Sequence, residues 1–374
     1  MQKNKKDFKQ GVINVATPDI SIIMSVYNGE DYVEQTVKSI IAQTFKNWEL
    51  IVINDCSTDS TAEILKKYSQ SDDRIKVYTN EVNLRLPSSL NKAISLSSGK
   101  YIARMDADDI CLAARFEKQF EFMEKNSSVD LSSCRFLTVK NGVYSSGGCG
   151  GRCDDAALKA MLLTTNPILH PGVIAKAEVM KKLLYNPQCT CTEDLDLWTR
   201  FALGNYKIQI QPEYLLIYRL HDKQITATTL EKQHKEVLAI QNNYFEQLVD
   251  KMDEQTKEFY INGVYFKEIP DVKKFCNLFK WVKKINKQKK SFDKNSFDYA
   301  FFEVLAEYRR HGISKKDVIK AIMCFSPLFL IKEVLRRKKV ASQDGEKCLL
   351  AARKYGLEQF GGTNVFPIFQ QSDK

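Results

Sequence analysis

A long apolar run is missing from this chain of 374 residues. The longest, Ala321 to Ile331, has eleven residues, contains Pro327 and is bracketed by Lys320 and Lys332. A membrane-spanning helix needs about 20 apolar residues, so this segment is too short to span. Residues 1–16 hold no apolar stretch of signal-peptide length and read as a polar, lysine-rich disordered leader. Without an export signal, the ten cysteines fit a reducing compartment as small core residues, and the expected location is cytoplasmic. Two cysteine pairs, Cys149/Cys153 and Cys189/Cys191, lack the spacing of a zinc knuckle, so four free thiols are expected. Histidine is scarce, with four in the chain.

What is present begins with an uneven charge. The net charge is +10, but Met1 to His221 carries 27 basic against 26 acidic residues, and Asp222 to Lys374 carries 29 against 20. This asymmetry separates a near-neutral part suited to chemistry from a basic part suited to an anionic partner. An apolar content of 44% is enough for a full α/β core plus a second element. The first 125 residues alternate short apolar runs with helical spacing. Strands are predicted at Ile20–Val26, Leu50–Ile53, Ile75–Tyr78 and Tyr101–Met105, with helices between them, Asp59 and Ser60 capping the second. That alternation predicts a mostly parallel sheet covered on both faces, an α/β fold. Ligands of such sheets bind beyond the carboxyl ends of the strands, where Tyr27-Asn28, Asn54-Asp55 and Asp106 to Asp109 should converge. Past residue 130 the pattern loosens, and past about 230 it turns helical and lysine-rich.

The strongest chemical feature is Arg104-Met105-Asp106-Ala107-Asp108-Asp109 after an apolar strand. Three carboxylates within four residues repel one another; a solvated surface turn tolerates this, and a divalent cation offsets it. Such a cation bridges the phosphates of a nucleotide-sugar and neutralises a departing diphosphate.

Four blocks in order resemble the inverting family-2 glycosyltransferases of bacteria. They are Ile22 to Asn28, Ser39 to Phe45, Glu49 to Asp59 and Tyr101 to Asp109, the last similar to the family's DXD region. The resemblance covers roughly residues 18–225. It implies a GT-A fold (Rossmann-like, with flanking helices) over 17–225; the helical, lysine-rich pattern beyond that places a helical linker over 226–264 and a basic helical region over 265–374. The resemblance also implies a nucleotide-sugar donor, Mn²⁺ or Mg²⁺, and inversion at the anomeric carbon. By the resemblance, Ser25 and Tyr27 border the nucleoside, Asp55 accepts from a base imide (favouring UDP-sugars), and Asp106 faces ribose or phosphate. Asp108 is the metal ligand and His221, in Tyr218-Arg219-Leu220-His221, completes its shell. Asp109 has two readings, metal support and helix capping, of which capping is the favoured one. Arg104 and Arg85 fall on the donor side, although Arg104 has a second reading as a neutraliser of the acidic turn and Arg85 as a tolerant turn residue. Glu193-Asp194-Leu195-Asp196-Leu197-Trp198 resembles the family's ED motif, with Asp194 as general base and Glu193 beside it. His170 and Trp198 are placed on the acceptor side, with a structural role as an equal reading for His170.

Lys273 to Lys290 holds eight lysines, no acid, and interleaved Phe275, Leu278, Phe279, Trp281, Val282 and Ile285. Residues 318–339 place an apolar stretch beside Arg336-Arg337-Lys338-Lys339. Both suit a surface helix on anionic lipid, or equally a solvated helix packed by its apolar stripe. No nucleic-acid motif accompanies the charge. The expected function is non-processive transfer to a hydroxyl of a surface glycan, with a lipid-linked acceptor at a membrane face as one form of it. The rivals are a nucleotidyltransferase making nucleotide-sugars and a catalytically silent binding module.

Overall fold

The computed structural model describes residues 17–147, 152–221, 230–267, 271–310, 313–333 and 335–336. The expected leader, Cys149, residues 226–229 of the expected linker, and residues 334 and 337–374 of the basic region lie outside these.

The amino-terminal half builds as its periodicity predicts. β1 (Ile20–Val26), β2 (Trp48–Asn54), β3 (Ile75–Thr79) and β4 (Tyr101–Arg104) are parallel, with α1 (Val33–Ile41), α2 (Thr61–Ser71) and α3 (Arg85–Leu96) as crossovers. β1, β2 and β4 are almost wholly buried, as continuous apolar runs in a two-sided parallel sheet should be. Gly99 lets β4 begin against β1; a Cβ there would sit 2.6 Å from the Ser21 nitrogen. Ahead of α2, Asp59 rather than Ser60 supplies the side-chain bond, accepting from the Thr61 N–H at 3.1 Å.

The sheet then becomes mixed. β5 (Ile110–Cys111) is followed by α4 (Arg115–Lys125), β6 (Leu131–Lys140), β7 (Val143–Gly147), α5 (Asp155–Met161), a 3₁₀ turn at His170–Gly172 and β8 (Ile174–Lys176). Next come α6 (Ala177–Leu183), α7 (Glu193–Leu203) and β9 (Ile208–Arg219). The order is β3-β2-β1-β4-β8-β6-β9-β5, with β7 on β6. β8 runs antiparallel to β4 and β6, while β6 and β9 are parallel. The chain reverses its direction of travel between β1 and β4, so the crevice for a ligand lies at the ends of those two strands.

The remaining described helices are α8 (Leu230–Leu248), α9 (Glu254–Phe259), a π-helical turn (Tyr260–Tyr265), α10 (Val272–Lys289), α11 (Lys294–Arg310) and α12 (Lys315–Ile322). Residues 327–333 are also helical. Their apolar faces join Trp198, Phe201, Leu158 and Leu162 in one core with Tyr244, Phe245, Phe275, Phe279 and Phe301. This packing corrects part of the expectation for Lys273 to Lys290: Phe275 and Phe279 are fully buried and offer lipid no face. Seven of the eight lysines lie on the exposed side, while Lys283 turns inward to buried Asp298. Among the described residues, no helix is long and apolar enough to cross a membrane.

Candidate active site

The acidic turn is held from three directions. The Thr36 hydroxyl on α1 lies 2.8 Å from the Ala107 carbonyl and 2.7 Å from that of Asp109. Arg115, fully buried at the start of α4, donates from Nη2 to the Arg104 carbonyl at 2.8 Å. From β9, the Arg219 N–H donates to Asp109 Oδ1 at 3.0 Å. Asp109 is therefore not a helix cap, contrary to expectation; it is fully buried, and the next helix starts at Arg115 behind Ala114. Its carboxyl is pushed well up by burial and then by the charges of Asp106 and Asp108.

Antiparallel pairing brings the late histidine to this turn. Ile110 pairs with Ile217 and Cys111 with Leu216, so the chain leaving β9 passes the acidic residues. His221 Nε2 lies 2.9 Å from Asp108 Oδ2, and its ring stacks on Tyr32 with centroids 4.6 Å apart. Asp106 forms an ion pair with Arg104 Nη1. Burial opposes the charge on Arg104, but the carboxylate of Asp106 outweighs it and holds the guanidinium above its ordinary pKa. Arg104 therefore stands as a counter-charge beside the acidic turn.

The ED segment opens α7. The Asn166 amide donates to Asp194 Oδ2 at 2.8 Å, and the Leu195 N–H donates to Oδ1 at 2.7 Å. Burial, and then the neighbouring Glu193, raise the Asp194 pKa. Burial pushes the Glu193 carboxyl up to about 7. His170 Nδ1 lies 3.5 Å from Glu193 Oε1, and Nε2 lies 2.7 Å from the Tyr185 hydroxyl. Burial and the Arg104 charge press the His170 pKa down to about 3, so its imidazole is neutral.

Arg104, Asp106, Asp108, His170, Glu193 and Asp194 line one cleft of about 750 Å³. Ser25, Tyr27, Asp55 and Arg85 lie outside its lining. Tyr27 is half-exposed, whereas Asp55 is buried, its Oδ1 accepting from the Leu84 N–H and the Asn80 amide, each at 2.8 Å. Arg85 is exposed, with φ +67° and its N–H on Asn83 Oδ1. Trp198 does not reach the acceptor side as expected; it is fully buried, edge-on to His170 with centroids 5.8 Å apart. Two participants were not legible as such: Asn166, whose amide holds Asp194, and the Tyr265–Lys267 segment, which enters the cleft from far along the chain.

Residues 21–172 match the profile described as Glycosyl transferase family 2. An uncharacterized glycosyltransferase of Methanocaldococcus jannaschii is 33% identical over 67% of this chain and 84% of its own. A putative teichuronic acid biosynthesis glycosyltransferase of Bacillus subtilis, TuaG, is 42% identical over 56% of this chain and 82% of its own. The crystal structure of S. aureus TarS 1-349 in complex with UDP-GlcNAc shares the fold, with a TM-score of 0.54 and 17% identity over 78% of this chain and 92% of that one. With the GT-A architecture and these relatives, the chain belongs to glycosyl transferase family 2. It is a glycosyltransferase, and its class of work is glycan biosynthesis.

Proposed function

We propose an inverting, non-processive, metal-dependent transfer of a sugar from a UDP-sugar to an acceptor hydroxyl of a surface glycan. The observation that carries this reading is the pairing, along one cleft, of the Asp106–Asp108 turn with an Asn166-held Asp194. Inversion needs a base to take the acceptor proton while the oxygen attacks opposite the leaving group; the Asn166-held carboxylate of Asp194, with its proton affinity raised by burial, supports that assignment. Ser25, Tyr27 and Asp55, at the ends of β1 and β2, are assigned to the nucleoside, and Arg85 and Arg104 to the phosphate side. The UDP-GlcNAc bound by TarS supports a uridine donor, and the name of TuaG supports a cell-surface polysaccharide acceptor.

The residues fit a divalent cation. Single ligand oxygens of Asp106, Asp108 and Asp109 lie within 4.8 Å of one another. Asp109 Oδ2 is buried without a hydrogen-bond partner, and His221 is already turned onto Asp108. Asp108 and His221 would hold Mn²⁺ or Mg²⁺, with Asp106 and Asp109 adjacent. When bound, the ion offsets charge building on the diphosphate. Asp108→Ala is expected to abolish transfer and donor hydrolysis. Full activity of that variant, or of the wild type in excess chelator, would refute metal dependence. A thermal-shift panel of nucleotide-sugars with Mn²⁺ names the donor by mass action; no stabilisation by any of them favours the silent-module reading. The basic segments 273–290 and 318–339 are assigned to an anionic membrane surface that presents a lipid-linked acceptor.

A further inference from the structure

The loop that presents Asn166 leaves α5 at Leu162. Carbonyls at the carboxyl end of a helix have no partner within the helix and must find one elsewhere. Two of those at the end of α5 stay local. The Leu163 N–H donates to the Ala160 carbonyl at 3.1 Å, and the Thr164 and Thr165 N–H groups donate to that of Met161 at 2.8 and 2.9 Å. Four more, from Lys159 to Thr164, are taken by side chains from far along the chain. From α8, the Tyr244 hydroxyl donates to the Lys159 carbonyl at 2.8 Å and the Gln241 amide to that of Leu162 at 2.9 Å. From the π-helical turn, the Tyr260 hydroxyl reaches the Leu163 carbonyl. Lys267, two residues past that turn, donates from Nζ to the Thr164 carbonyl at 3.1 Å and to that of Tyr265 at 2.9 Å. The turn is itself fastened, with the Tyr308 hydroxyl of α11 donating to the Gly263 carbonyl at 2.6 Å.

Leu162, Leu163 and Thr164 are fully buried, and so are Gln241 and Tyr260. Losing one of these donors therefore leaves a buried carbonyl without its partner, and the loop has to move to satisfy it. Thr164 stands two residues ahead of Asn166, whose amide donates to Asp194 Oδ2 at 2.8 Å. Each residue between them adds only two soft dihedrals, so a displacement at Thr164 is carried to the amide. Thr164, Thr165 and Asn166 also line the cleft beside Asp194. We infer that Lys267 and Tyr260 are positioning residues for the transfer step: through the Thr164 and Leu163 carbonyls they fix the loop whose Asn166 amide orients the base. The carboxy-terminal helices are then part of the catalytic unit and not an appended module.

This inference rests on Asp194 being the base, so Asp194→Asn is measured beside the other variants. The assay is UDP release by the full chain from UDP-Glc, UDP-Gal and UDP-GlcNAc with Mn²⁺, water serving as acceptor. Lys267→Met keeps the apolar stem, and Tyr260→Phe removes a donor without changing any charge. Lys267→Met should lower kcat about 10- to 100-fold, the scale of a misplacement near 1 Å, and Tyr260→Phe should act in the same direction. UDP affinity by calorimetry should stay within about twofold of wild type in both, a split that a general loss of structure does not give. Hydrogen exchange over residues 162–168 should quicken in both. Once Asn166→Ala has cut the link to the base, adding Lys267→Met should lower kcat by no more than about twofold. Losses that multiply in that double variant mean that Lys267 acts elsewhere, for instance through its charge near Glu303 and Glu307, and overturn the inference. Unchanged kcat or unchanged exchange in both single variants overturns it too, as does a fall in kcat matched by lost UDP binding in both. Normal kcat in Asp194→Asn sinks the base assignment instead, and no UDP release by the wild type sinks the donor reading.

Discussion

At the scale of single residues, the two carboxyls of the ED segment differ in what holds them. Asp194 is oriented by an amide and a backbone N–H, so its oxygens are placed before any acceptor arrives. Asp194→Asn is expected to lower kcat about 10²- to 10⁴-fold, the usual contribution of a positioned base, while UDP affinity stays near the wild-type value. Lost UDP binding with normal turnover at saturation would move Asp194 to the donor site. The pH dependence follows from burial. Burial raises both Asp194 and Glu193 above their ordinary values, so the acid limb of kcat/KM should lie at higher pH than for a freely solvated aspartate. Removing the like charge in Glu193→Gln lowers the Asp194 pKa, so the limb should move to lower pH. A limb that stays put or rises shows that Glu193 does not act on the base. The acidic turn was readable as a cluster because it sits in a short motif at a strand end. Asn166 was not readable as a partner of Asp194, since 28 residues separate them and only the fold closes the gap. Burial misled in one place: Trp198 follows Asp194 by one turn of α7 but is fully buried against His170 and does not line the cleft.

Among elements, the first four strands and three helices were legible because each buries one clear period. β6 to β9 were not, since their mixed pairing leaves no strand-helix alternation to follow. The π-helical turn escaped for a related reason: one inserted residue breaks helical spacing without any marker residue. α7 shows how one element positions another. Thr192 stands at its N-cap, but its hydroxyl donates to Glu236 Oε2 on α8 at 2.8 Å. The same carboxylate accepts from the N–H groups of Thr190 at 3.2 Å and Cys191 at 3.0 Å. Glu236 thus ties down the loop one residue ahead of Glu193. Glu236→Ala leaves these donors without that acceptor and should cost about 1–3 kcal/mol of stability. It should also lower kcat by misplacing the ED pair. Glu236→Gln should recover little, because its NH₂ group would face donors where the carboxylate has a second oxygen. Thermal unfolding and steady-state rates on both variants check this; a fall in stability with an unchanged kcat would limit Glu236 to the fold.

For the whole molecule, the part of the charge asymmetry that falls on described residues centres on Lys273 to Lys290, with a narrower mechanism than composition alone suggested. Seven of the eight α10 lysines between Lys273 and Lys290 are exposed, while Lys283 pairs with buried Asp298 at 3.3 Å and donates to the Cys324 carbonyl at 3.2 Å. That last bond packs α12 beside α10. Ile319 on α12, and Leu328 and Ile331 beyond it, are each more than half exposed, and Met323 is 81% exposed. Lipid attraction therefore has to come from exposed lysines together with this second apolar surface, not from Phe275 and Phe279. Each lysine near an anionic surface contributes about 1 kcal/mol, screened over a Debye length of roughly 8 Å at physiological salt. Liposome co-sedimentation should accordingly rise with anionic lipid content and fall as salt is raised. Replacing Lys284, Lys287, Lys289 and Lys290 by Gln should weaken it by removing about 4 kcal/mol of attraction at most. Lys283 is left out because its loss would strand the buried carboxylate of Asp298 and destabilise the helix pair. Met323→Gln with Ile331→Gln should weaken binding by an amount that persists at high salt, since apolar burial is not screened. If the wild-type protein stays in the supernatant with anionic liposomes at low salt, the basic region acts only in packing and in walling the cleft. A soluble acceptor would then be the consistent partner.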